Sequence, residues 1–518
     1  MNIERKPQIL WADDEIDLLE PHIRFLDQKG YHVVPVHSGE AALEEIRKKD
    51  FDLVLLDEMM DGIDGLETLE EIKKIYPGTP VVMVTKSEEE SLMEDAIGGH
   101  ISDYLTKPVN PSQILMVCKK ILDHSDIVKK KIRSRYLEGF NLLSMRLIEA
   151  LSLDEWIKTH EQLSQWQIEL DKHPDLGFEE MLADQRETAN REFARTVENE
   201  YINWLDDDSI ILSPRVASSA IKPILQGGEK VLFVVVDCMR LDQWLTLEPI
   251  FYEDYSLKKS THISILPTAT PYSRNAIFSG LFPAEILQRY PQYYQDDSGN
   301  ESGLNQFEKE LLELQVKQWN LGVKPKYFKP LQPTEGERLL NNFGSIQHEK
   351  LISVVVNFVD FVTHTRSESK IVQEMVPDES AYRSMIRTWF EGSWIYKLIQ
   401  KSTQNGFTVI ITSDHGSIKV QRGEKVLGDR ETSAGIRYKH GRNISSTGKN
   451  AMRINDPAKY RLPVKNMNEN FLLAKSSAFF LYPNNFHKYE RMLKNTFQHG
   501  GISLDEMVLP IAILTGKS

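Results

Sequence analysis

The sequence predicts an α/β chain in three parts, on three observations. Short apolar, β-branched runs alternate with amphipathic helical stretches over residues 1–122 and again over 209–518. Between them, residues 123–208 show no strand pattern and almost no Gly or Pro. In both outer parts the apolar runs end on, or beside, acidic, basic, imidazole or hydroxyl side chains. The first part is therefore expected to be a doubly wound parallel sheet, the middle a three-helix bundle, and the last a larger α/β sandwich. A length of 518 residues agrees with three parts at ~150 residues per domain.

Composition narrows the class. Hydrophobic residues make up 41% and charged residues 27%, which is ordinary for a globular chain. A formal net charge of −14 argues against a wide basic surface for duplex nucleic acid. Two cysteines, Cys118 and Cys238, in apolar surroundings exclude a disulfide framework. The first residues carry no apolar secretion segment, and the longest apolar run, "VLFVVV", is far short of the ~18 residues of a membrane span. The expectation is a soluble, cytoplasmic protein with no membrane span.

In the first part the strands are "QILWAD", "HVVPV", "DLVLLD", "PVVMVT" and "DYLTKP". They place Asp13, Asp14, Asp57, Thr85 and Lys107 at strand ends, where doubly wound sheets hold their ligands. Three converging carboxylates repel one another unless a divalent cation joins them, and hard oxygen ligands favour Mg2+. Phosphoryl transfer to a carboxylate needs a nucleophile, a metal, a hydroxyl and a fixed cation, all present in this set. Residues 6–122 resemble the receiver domain of two-component response regulators through Asp13-Asp14, Asp57, Thr85, Tyr104 and Lys107-Pro108. The resemblance implies that Asp57 is the phosphoacceptor. It also implies that Asp14, Asp57 and the Met59 carbonyl hold Mg2+ with help from Asp13. Lys107 would bind the phosphoryl group, through a residue followed by a cis proline bond, and Thr85 and Tyr104 would be the switch pair. Lys86 departs from the small residue usual beside the switch hydroxyl.

The middle continues the last receiver helix through "HSDIVKKKIRSRYLEGFNLLSMRLIEAL". "SLDE" at 152–155 reads as a capping box opening a second helix, and a third runs from "EEMLADQ" to "INWLDD". The segment serves either as a packed spacer or as a relay of the receiver's state.

In the last part the strands are "VLFVVVDCMR", "HISILPTAT", "ISVVVNFVDFVTH", "FTVIITSDHG" and "MVLPIAIL". They bring Asp237, Thr268 and Thr270, Asp360, Asp414-His415 and His499 to strand ends or their approaches. Asp360 and His364 are one helical turn apart and share a face if a helix begins there. Mixed carboxylate and imidazole ligands suit zinc, and six of them divide into two sites of three. Two metals about 4 Å apart can clamp the attacking and leaving oxygens of phosphoryl hydrolysis.

This order resembles the alkaline phosphatase superfamily, and "HGGISLDEMVLP" is more specifically similar to its PglZ branch. "PTATPYSRNAIFSGLFPAE" resembles the nucleophile segment of nucleotide pyrophosphatase/phosphodiesterases. The resemblance implies that Asp237, Asp414 and His415 bind one Zn2+ that activates Thr270, and that Asp360, His364 and His499 bind a second. The pattern departs at Ser273, where an asparagine is usual, which leaves Arg274 or Asn275 as candidates for oxyanion stabilisation. Residues 281–350 are expected to form a cap. Residues 419–449, polar and rich in Gly, Ser, Arg and Lys, are expected to form a mobile loop. There Arg437, Lys439, His440 and Arg442 would bind phosphates of a nucleotide or oligonucleotide, and Tyr438 would stack on a base.

The three-part architecture is similar to response regulators associated with the type IX secretion system of Bacteroidetes-type bacteria. That likeness implies a cognate sensor histidine kinase, a homodimer formed on phosphorylation, and a sigma factor or secretion-system component downstream. The function expected is a phosphorylation-controlled, zinc-dependent phosphodiesterase. The alternative is a signalling adaptor whose phosphatase-like domain binds a protein or nucleotide without turnover. A DNA-binding regulator is disfavoured, because no helix-turn-helix pattern follows the first part.

Overall fold

A computed structural model describes residues 5–86, 101–294, 305–368, 370–428, 435–464 and 468–517. The stretches 295–304 and 429–434, inside the two expected insertions, lie outside the described residues. The chain divides into two compact units, residues 1–138 and 139–518.

The first unit is built on strands β1 (Gln8–Ala12), β2 (His32–Val36), β3 (Leu53–Asp57), β4 (Val81–Thr85) and β5 (Asp103–Thr106). They form one sheet in the order β2-β1-β3-β4-β5, parallel throughout. Successive residues point to opposite faces of a strand, so each strand feeds two cores. Ile9, Trp11, Leu53, Leu55, Val82 and Val84 pack on one face. Leu10, Ala12, Val54, Leu56, Val81 and Met83 pack on the other. Burial on both faces is what an all-parallel sheet demands. Because β2 and β3 lie on opposite sides of β1, a crevice opens beyond the carboxyl ends of β1 and β3.

The larger unit holds a six-stranded sheet. Its parallel strands are β6 (Lys230–Val236), β8 (Lys326–Phe328), β9 (Leu351–Val356) and β10 (Phe407–Thr412). The final strand, Val508–Gly516, runs antiparallel between β10 and β7 (Tyr255–Ile263). Alternation again divides the core: Leu232, Val234 and Val236 face one layer, and Val231, Phe233 and Val235 the other.

Two expectations need correction. The strand expected over "HISILPTAT" ends at Ile263, and the true strand lies upstream in "YSLKKSTHI". Its lysines lie on a sheet edge, where charge blocks unwanted pairing and hides the strand pattern. Pro267, which has no N–H to donate, follows in an irregular segment leading to the helix Thr270–Ser279.

The middle is helical, as expected. Helices Leu153–Asp171 and Glu179–Asp206 belong to the larger unit, while His124–Arg146 runs across the boundary. Ser152 and Glu155 do form the capping box. Asp171 accepts from Arg383 Nη2 at 2.6 Å and Nε at 3.0 Å, tying the helix pair to the sheet domain.

The stretch 419–449 is not a mobile loop where it is described. Arg422–Leu427 pairs with Ala478–Leu481, and Tyr438–Arg442 pairs with Glu469–Ala474. Polar composition concealed these strands because charged residues in and beside them are neutralised by partners distant in the chain, as Arg437, just before Tyr438, is by Glu506.

Candidate phosphoacceptor and two-metal sites

In the receiver crevice, Asp13 and Asp57 are buried and Asp14 is exposed, and their carboxylate oxygens converge within 4.8 Å of one another. Lys107, carried just past β5, places Nζ 2.8 Å from Asp57 Oδ2 and 2.9 Å from Asp13 Oδ2. Burial raises the Asp57 pKa, as do the Asp13 and Asp14 charges, while Lys107 opposes them. The Lys107–Pro108 peptide is cis. Thr85 is buried, with its hydroxyl donating to Glu58, whereas Tyr104 is 44% exposed. Met59 lies two residues past Asp57 with its side chain in solvent. The three carboxylates make a hard-oxygen donor set that fits Mg2+, with Lys107 as a fixed cation beside it. Asp57→Asn is expected to abolish labelling by acetyl phosphate, scored as loss of the retarded band on a phosphate-affinity gel.

In the larger unit, β6 ends into Asp237, and Cys238 after it takes φ 66°. A non-glycine residue in the left-handed region costs of order 1–3 kcal/mol and collects at functional sites. β10 ends into Ser413, Asp414 and His415. Asp237, Asp414 and His415 converge into one set that could hold a metal ion, and Asp360, His364 and His499 into another. Asp360 and His364 do lie on one helix, Phe358–Glu368, with 3.3 Å between His364 Nε2 and Asp360 Oδ1. The His415 and His499 rings stack with centroids 4.3 Å apart, so the two sets adjoin.

Thr270 opens the helix Thr270–Ser279, and its Oγ1 lies 2.9 Å from His415 Nε2. His415 Nδ1 lies 3.1 Å from the Gly416 carbonyl, which makes Nδ1 the donor and leaves the Nε2 lone pair facing the hydroxyl and the carboxylates. Thr268 is engaged differently: its hydroxyl donates to Gly501 O at 2.7 Å and accepts from Gly500 N at 3.2 Å. That leaves Thr270 as the hydroxyl at the ligand sets.

The donor chemistry fits divalent zinc. Asp237 Oδ1 and Asp414 Oδ2 are buried without hydrogen-bond partners, a costly state that a cation relieves. Burial, with the Asp414 and Asp360 charges, pushes the Asp237 carboxyl pKa up against the pull of Arg274. A bound divalent ion reverses that balance. Burial lowers the His499 pKa and favours the neutral ring, the form that ligates metal.

Two assignments change. The Arg274 guanidinium is engaged by Asp237 and by Glu308 (Nε to Oε1, 2.5 Å), so it braces the Asp237 carboxylate and is not a spare oxyanion donor. Asn275 Nδ2 donates to the Pro271 carbonyl at 2.9 Å, within its own helix. Glu308, on the helix Glu308–Gln318, also receives Lys329 Nζ at 3.1 Å. Sequence reading missed it, because nothing links it to a partner 34 residues away.

The expected phosphate-binding group fares worse. Arg437 is fully buried, ion-paired to Glu506, and donates to Ser476 O at 2.6 Å. Tyr438 is also fully buried and packs edge-on against Tyr272, which excludes base stacking. Lys439 is buried with its ammonium over the Tyr482 ring, and His440 faces Glu469 at 3.3 Å. Only Arg442 of the five is exposed.

Residues 216–514, more than half of the chain, match the family described as the BREX system PglZ alkaline phosphatase-like domain, and the chain belongs to that family. Residues 9–119 match the response regulator receiver domain, and 126–205 the PorX response regulator linker domain. It is thus a two-component response regulator of PorX-like architecture, with a receiver, a linker and a PglZ effector.

Transcriptional regulatory protein ZraR of Escherichia coli O157:H7 is 36% identical over 120 residues, 23% of this chain and 27% of that protein. Transcriptional regulatory protein ResD of Bacillus subtilis (strain 168) is 29% identical over 122 residues, 24% of this chain and 50% of that protein. The chain therefore spans from about a quarter to half of their lengths. A CheY-like receiver domain protein of known structure from Methanospirillum hungatei JF-1 is 29% identical, covering 24% of this chain and 98% of that one, with a TM-score of 0.23. No helix among the described residues is long and apolar enough to cross a membrane.

Proposed function

We propose that this response regulator is phosphorylated on Asp57 and that its effector domain is a zinc-dependent phosphodiesterase acting on nucleotides or oligonucleotides. One observation carries the reading: the Thr270 hydroxyl stands 2.9 Å from His415 Nε2, beside two adjoining sets of three metal-type ligands. Asp237, Asp414 and His415 would hold one zinc, and Asp360, His364 and His499 the other. When bound, such ions lower the pKa of a coordinated hydroxyl and neutralise charge on phosphoryl oxygens. The protein itself presents Thr270 at the start of a helix, where backbone N–H groups face the incoming anion. It fixes the His415 tautomer through Gly416 and braces Asp237 through Arg274 and Glu308.

A nucleotide substrate is favoured by the likeness of the Thr270 segment to nucleotide pyrophosphatase/phosphodiesterases. A receiver implies a cognate histidine kinase. By the likeness of the three-part architecture to response regulators associated with type IX secretion, the reading extends to a regulatory role there, with a phosphorylation-promoted homodimer and a sigma factor or secretion component downstream.

The test is hydrolysis of bis-p-nitrophenyl phosphate by zinc-loaded protein. Chelation is expected to lower turnover at least about 100-fold, and zinc to restore it. Inert protein with two zinc ions per chain would favour the adaptor reading.

A further inference from the structure

We propose that linker helix Glu179–Asp206 is a positioning element of the hydrolytic site, acting through Asn190, Arg186 and the turn Ser503–Glu506. The proposal rests on the hydrolase reading and adds to it a residue layer contributed by the linker. Asn190 is buried and uses both ends of its amide on the turn: Oδ1 accepts from Leu504 N at 2.8 Å, and Nδ2 donates to Asp505 Oδ2 at 3.1 Å. Arg186, one helical turn earlier, pairs with the other Asp505 oxygen.

The gripped turn then holds both histidine loops. The Glu506 carbonyl accepts from Gly416 N at 3.1 Å, and Gly416 O is the atom that orients the His415 ring. A Cβ on Gly416 would lie 1.9 Å from the Asp505 carbonyl oxygen, so the His415 turn and the gripped turn are in backbone contact. On the other side, the Glu506 carboxylate accepts from Gly501 N at 2.8 Å, two residues after His499, and Thr268 fixes the same glycine pair. Glu506 is fully buried and is also held by Ser503 Oγ at 2.6 Å and by Arg437. One turn thus positions a ligand from each metal set, and the linker sets the turn. Outer partners of metal-binding histidines typically change metal affinity or activity about 10–100-fold when removed.

The experiment uses the full chain with Asn190→Leu, Asn190→Asp and the exchange Asn190→Asp/Asp505→Asn. Four quantities are read: the visible spectrum of the cobalt(II)-substituted protein, zinc affinity by chelator competition, turnover of bis-p-nitrophenyl phosphate, and thermal unfolding. Asn190→Leu removes both bonds at similar volume, and Asn190→Asp keeps the acceptor but sets a carboxylate against Asp505. Both are expected to alter the cobalt spectrum, weaken zinc binding about 10-fold and lower kcat about 10–100-fold at nearly constant KM. The exchange variant restores one amide and one carboxylate across the contact and is expected to recover most of each quantity. A folded Asn190→Leu with wild-type spectrum, zinc affinity and kcat would overturn the proposal, as would lowered thermal stability with those three unchanged. If Asn190→Leu fails to fold, the exchange variant decides: a wild-type spectrum supports the contact, and an altered one refutes it. Should wild type itself fail to hydrolyse, the hydrolase reading falls, while the spectrum and zinc affinity still judge the clamp.

Discussion

Thr270→Val is expected to lower kcat/KM for bis-p-nitrophenyl phosphate at least about 10³-fold while leaving zinc content at the wild-type level. Valine replaces the hydroxyl with a methyl of nearly the same shape, so the helix start and its packing survive. What is lost is the one oxygen that stands 2.9 Å from His415 Nε2 at the junction of the two ligand sets. Thr268→Val is the informative partner. Its hydroxyl already serves Gly500 N and Gly501 O, next to His499, so its removal is expected to weaken zinc binding before it affects chemistry at saturating zinc. Thr270→Ser, which retains a primary hydroxyl, is expected to keep measurable turnover. Full activity in Thr270→Val with turnover lost in Thr268→Val at saturating zinc would reverse the assignment of the nucleophile.

That these carboxylates and imidazoles would converge was legible in the sequence because most of them sit where a strong local signal ends. Asp57 closes a strand buried on every residue, Asp414-His415 follows another, and Asp360 and His364 share one helical turn. Parallel strands announce themselves by unbroken β-branched runs, and their carboxyl ends are where such sheets place chemistry. The residues that hold the ligands were not legible. Arg274, Glu308 and Asn190 act across gaps of tens to hundreds of residues, and no local period records those pairings. Even "SLDE", read correctly as a cap at 152–155, recurs at 503–506 with a second role. There Ser503 accepts from Glu506 N at 3.1 Å while the glutamate side chain fastens Gly501 and Arg437.

Arg437 marks where composition misled most, and it carries the largest stability prediction. A basic residue in a Gly-, Ser- and Lys-rich stretch reads as a solvated phosphate binder, yet its guanidinium has no exposure and is shared among Glu506 and the carbonyls of Ser476 and Ala478. Removing one partner of a buried pair leaves the other charge uncompensated, which costs about 3–5 kcal/mol. Arg437→Leu is therefore expected to destabilise the effector domain by about that amount in denaturant titration. Arg442→Gln, on the exposed end of the strand that follows Arg437, is expected to cost no more than about 1 kcal/mol. Because Glu506 also fixes Gly501 behind His499, the surviving folded fraction of Arg437→Leu should bind zinc more weakly, an effect that a lost phosphate contact cannot produce. A variant as stable as wild type, with full zinc affinity and only a raised KM for long substrates, would return Arg437 to the substrate and leave Glu506 without its counter-charge.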